Sequence, residues 1–144
     1  VTEFLVALAA GALAVAIAPI LGSRSAGRRD RTAHVMAALP PIASLCLFYS
    51  LALHMHQRLG EWPRVIGDRG FPVDLVMHAD VALFTFGSVV AGFLFVCPVA
   101  ALLCAAVPRL RSSLRYVGIY AMTCGVAFAL MQLAPNPFLA WWWD

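Results

Sequence analysis

Polar and apolar positions in this chain come in long blocks, without the short alternation of a half-buried helix or strand. Between consecutive charged side chains lie four uncharged runs, Phe4–Ser23, Thr32–Gln57, Val81–Pro108 and Tyr116–Trp143, of 20, 26, 28 and 28 residues. A bilayer hydrocarbon core of about 30 Å is crossed by roughly 20 helical residues, so each run is long enough to span once. The pattern predicts an all-α integral membrane protein, a four-transmembrane-helix bundle forming one domain over 1–144. Its helices are expected over about 3–23, 32–56, 73–107 and 113–134, with the outer loop 57–72 as an interfacial cap.

Composition supports the bilayer as solvent. The 144 residues are 62% hydrophobic and 12% charged, with a mean hydropathy of +0.86, far from the roughly quarter-charged balance of a soluble domain. Charge then sets the expected orientation. The loop Arg24–Arg31 carries four Arg and one Asp, and Pro108–Arg115 carries three Arg and no acid, so both are expected on the cytoplasmic side. Three Arg and six acids fall on the other side, where both termini are also expected. The first run carries its positive charge after the apolar stretch, the reverse of a secretory signal, and is expected to be a first span. A bacterial cytoplasmic (inner) membrane is the expected location.

Small residues Ala7, Ala10, Gly11, Ala14 and Ala18 recur at helical spacing in that first run, and in lipid such stripes let helices approach closely. Ser88 and Gly92 offer a similar surface in the third run. Pro40-Pro41 predicts a kink or a short unwound segment, Pro98 a kink, and Ala134-Pro135-Asn136-Pro137 a stop. Trp62, Trp141, Trp142 and Trp143 all fall at the outer boundary, where indoles anchor at the headgroups; the triplet could also serve as a platform for a partner or a quinone. The loop between Gln57 and Pro72 mixes turn formers with Leu59, Trp62, Val65, Ile66 and Phe71, which suits an amphipathic segment folded back on the bundle.

Candidate chemistry concentrates between His54 and Asp80. A hairpin brings His54, at the end of the second helix, to the depth of His78 at the start of the third. Asp74 and His78 are four apart and share a face. His56 points about 200° away from His54, and Asp80 addresses a different helix from His78. Three chemistries fit the residue types. A transition metal would use His54, His78 and Asp74 or Asp80, with Met55 and Met77 as soft ligands for copper. Haem b would take His54 and His78 as axial ligands, with Arg58 or Arg64 at the propionates. A quinone or proton site would use a neutral imidazole beside a carboxylate. The plainer alternative is a set of hydrated interfacial side chains bonded to one another.

No nucleotide loop, metalloprotease, hydrolase, haem-attachment or lipidation motif occurs. The four cysteines form no CxxC pair and read as small apolar residues. Short Arg runs suit anionic lipid headgroups better than nucleic acid, and the mid-membrane stretches carry too little polarity for a conduction path. The leading expectation is a small multi-span subunit or accessory protein, without catalytic machinery of its own, that packs with other membrane subunits in the lipid bilayer. The alternative is a redox membrane protein holding haem b, copper or a quinone at the periplasmic ends of the second and third helices.

Overall fold

A computed structural model describes residues 28–63 and 71–144. The first run, with its small-residue stripe, and positions 64–70 of the outer loop, including Arg64, lie outside the described residues. Every regular element among those described is helical. Among the described residues, three helices are long and apolar enough to cross a membrane: Thr32–Leu59, Val73–Ala106 and Pro108–Met131.

Helix α1 (Arg28–Leu59) begins about a turn earlier than the apolar run implies, with Asp30 in its first turn, where the positive end of the helix dipole favours an acid. It runs unbroken through Pro40 and Pro41, so neither residue unwinds it. His56 and Arg58 sit in its last turn, and Gly60 ends it at φ 70°, its N–H donating to the His56 carbonyl at 3.1 Å. A left-handed residue at this position is the usual helix stop, and glycine adopts it without a Cβ penalty.

Helix α2 (Val73–Ala106) starts behind Pro72, whose carbonyl accepts from Val76 N–H at 3.1 Å. Its middle widens into one π-helical segment, Gly92–Val96, in which Cys97 N–H reaches back to the Gly92 carbonyl. Pro98 follows directly. A proline ring inside an α-helix collides with the carbonyl four residues earlier, and a π turn is one established way of making room. The expected disturbance at Pro98 therefore takes the form of this segment. The Tyr120 hydroxyl donates to the Val89 carbonyl at 3.0 Å beside it. Val107, extended at φ −102° and ψ 108°, ends α2 as the residue before Pro108.

A 3-10 stretch, Pro108–Ser113, leads into α3 (Leu114–Met131). α3 ends at Met131, ahead of Pro135, and helix resumes directly after that proline as α4 (Asn136–Trp143). α1 is the central element, packed along α3 and against the first half of α2, while the second half of α2 leans on α3.

The densest core lies at the end of the bundle where α1 finishes and α2 begins. It joins Phe48, Leu51 and Met55 of α1 to Leu75, Ala79 and Ala82 of α2, Met131 and Ala134 at the end of α3, and Phe138 and Trp142 of α4. Phe48 meets Trp142 edge-on at 4.9 Å and Phe138 at 5.0 Å. Trp142, expected as a headgroup anchor, is thus turned into the core at 7% exposure, whereas Trp143 is exposed and Trp62 and Trp141 are half-buried on the core's rim. Trp62 and Phe71, the described ends of the outer loop, pack against this core, and Phe71 faces Trp141 at 6.3 Å.

Candidate functional site

The hairpin of α1 and α2 does bring the predicted residues together. Ser50, His54 and Arg58 repeat every four residues along one stripe of α1, and Asp74 and His78 repeat likewise along the facing stripe of α2. His54 Nδ1 and His78 Nδ1 are 3.0 Å apart. His78 Nε2 lies 3.0 Å from Ser50 Oγ, which is 2.9 Å from the Leu47 carbonyl. On the other side, His54 Nε2 is 3.4 Å from Asp74 Oδ2, the oxygen that also takes Arg58 at 2.5 Å. The result is a row of polar side chains, Ser50–His78–His54–Asp74–Arg58, hydrogen-bonded from Ser50 to His54 and from Arg58 to Asp74, with the longer His54–Asp74 ion-pair contact between them.

Hydrogen counting shows what this row can do. If the single Ser50 hydroxyl hydrogen points at Leu47, the oxygen accepts from His78 Nε2–H, and His78 Nδ1 accepts from His54 Nδ1–H. His54 Nε2 then faces a carboxylate, and the arrangement is satisfied only when His54 is an imidazolium. If the hydroxyl turns to His78, each ring donates onward, His78 to His54 and His54 to Asp74, and both rings are neutral. The two networks differ by one proton and one hydroxyl rotation.

The remaining candidates stand apart. Met55 is fully buried in the core and Met77 is exposed, so neither thioether joins the histidines. His56 stacks on Trp62 with ring centroids 4.7 Å apart. Asp80 is exposed, about 200° around α2 from His78. Among the described residues no group of three or more His, Cys, Asp or Glu side chains gathers as metal ligands would. Two axial imidazoles on one iron also need their nitrogens about 4 Å apart, two bonds of roughly 2 Å each, and these rings are bonded directly to one another. The arrangement suits proton sharing better than haem or copper.

Sequence reasoning gave Ser50 no place in this site. Its signal was the four-residue spacing to His54 and Arg58. A second cluster at the far end of α1 was missed altogether. There Asp30 Oδ1 accepts from the Tyr116 hydroxyl at 2.6 Å and from Arg115 at 2.5 Å, Arg115 reaches the Tyr116 oxygen at 2.8 Å, and the His34 ring lies 5.2 Å from that of Tyr116. Asp30 is the only acid in the two basic loops, which was the available clue.

The Tyr116 hydrogen bond, aided by the Arg115 charge, holds the Asp30 carboxyl below its ordinary value of 3.8 against an opposing push from partial burial. A carboxyl whose pKa is depressed on folding stabilises the fold fully above the unfolded value, and that contribution is lost as pH falls through the folded one. Thermal unfolding in detergent should therefore show a melting temperature that drops below about pH 4. In Asp30→Asn this part of the acid sensitivity should be absent; an identical pH profile in the variant would refute the assignment.

Comparison with protein-family models, curated proteins and solved structures finds no match to this chain.

Proposed function

We propose that this protein is a non-catalytic, multi-span subunit of a bacterial cytoplasmic membrane that packs against larger membrane partners, with four spans and both termini on the periplasmic side. The observation that carries the reading is the bareness of α2 among the described residues: only 6% of its most apolar membrane window is buried. One exposed stripe of that helix holds Asp80, Phe84, Gly87, Ser88, Ala91 and Phe95. Small residues flanked by rings make a close-approach surface for a helix in lipid, where packing supplies the attraction. Asp80 adds an exposed carboxylate on an apolar helix, a feature that favours a partner's basic or donor side chain over lipid tails. The orientation rests on the arginine asymmetry.

Gly87 provides the test, because a Cβ added there meets nothing within 4 Å. Gly87→Leu should leave the isolated chain's melting temperature within a few degrees of the parent while releasing it from a higher-mass assembly on native gels of mild-detergent extracts. A parent protein that migrates at single-chain mass, or an assembly indifferent to Gly87→Leu, would remove this reading.

A second reading, proton handling, is favoured by the direct His54–His78 bond. It expects a direct hydrogen bond between the two rings, so His78→Gln should change the ring-nitrogen chemical shifts of His54 measured by NMR.

A further inference from the structure

We propose that the cleft between α1, α2 and α3 binds a flat, lipid-soluble ring bearing a carbonyl oxygen, the chemistry of an isoprenoid quinone headgroup. The cleft has a volume of about 480 Å³, within the roughly 300–1,000 Å³ of small-molecule sites. It is distinct from the histidine chain: its anchor, Ser44, lies six residues along α1 from Ser50, about 9 Å deeper.

Two observations fix the ligand class. First, Ser44 lines the cleft, is only 4% exposed, and its hydroxyl has no hydrogen-bond partner among the described residues. A buried hydroxyl left unpaired costs free energy that a ligand oxygen would recover, and an acyl chain has no atom to offer it. Secondly, aromatic side chains form a wall of the cleft: the Trp143 ring sits 5.6 Å from both Phe86 and Phe128, and all three line it. Offset or edge-on contact with a planar ring suits such walls. Gln132 adds a polar group to the lining, and the cleft is partly open, which leaves a way out for a hydrocarbon tail.

The test uses the full-length protein in phosphatidylcholine nanodiscs, titrated with decylubiquinone while tryptophan fluorescence is read. Saturable quenching is expected, lost in Trp143→Phe, weakened about fivefold in Ser44→Ala and retained in Ser44→Thr, which keeps the hydroxyl. Leu94→Phe, at an exposed lining position that tolerates a larger side chain, should weaken binding by narrowing the cleft. Hexadecane, which fills apolar space without an oxygen, should not displace the probe. Quenching that only rises linearly with decylubiquinone, a Ser44→Ala titration equal to the parent, or equal displacement by hexadecane would each overturn the proposal, the last by making the cleft an acyl-chain groove.

Discussion

Phe138→Ala should cost about 3 kcal/mol of stability, the lower part of the range for deleting a buried aromatic side chain. Phe138 has no exposed surface, and its ring contacts reach three parts of the chain: Phe48 of α1 at 5.0 Å, Trp62 at the end of the outer loop at 6.1 Å, and Trp141 of its own helix, stacked at 5.9 Å. In water the loss would combine transfer free energy with the cavity left behind. In lipid or detergent the transfer part shrinks, since hydrocarbon is as apolar as the side chain, and the missing dispersion contacts remain. Titration of the micelle-bound protein with SDS, followed by tryptophan fluorescence, should show the midpoint moving to lower denaturant. A shift no larger than that of an exposed control such as Phe84→Ala would show that α4 is not part of the cooperative unit.

The second large effect is expected at Leu75. It is fully buried in the same core and follows Asp74 directly in the first turn of α2, with His78 three residues on. Leu75→Ala should cost about 2 kcal/mol by emptying that contact. It should also loosen the register that holds His78 Nδ1 at 3.0 Å from His54 Nδ1, so the NMR ring-nitrogen shifts that report this hydrogen bond should move toward those of unpaired imidazoles. If stability falls while those shifts are unchanged, the histidines are held by their own hydrogen bonds and the hairpin packing does not position them.

The presence of helices long and apolar enough to cross a membrane was legible in the sequence because the code for it is one-dimensional. Long uncharged runs give helices whatever their neighbours are, and the three described helices of this kind fall on the runs that contain Thr32, Val81 and Tyr116. The meeting of His54, Asp74 and His78 followed from hairpin connectivity and a four-residue spacing. What could not be read was the rotation of each helix about its axis. That rotation decided that Asp80 and Met77 face outward and Met55 inward, and that Ser50 joined the histidines. Trp142 parts from its neighbours for the same reason: helix resumes after Pro135 and its rotation sends that one indole inward while Trp143 stays exposed. At Pro40-Pro41 the short unwound segment is absent, since α1 stays helical through both residues while packed against two neighbours.

The inward turn of α4 has a consequence for how the protein is made. A chain that has formed only α1 and α2 leaves Phe48 and Phe86 without the Trp142 ring that meets both, because α4 follows α3 in the sequence. Both contacts join residues far apart in the chain, and closing such long loops is the slow, entropically costly kind of step. Forming the individual helices and locking this core are thus expected to be separate steps, the second waiting on the last helix of the chain.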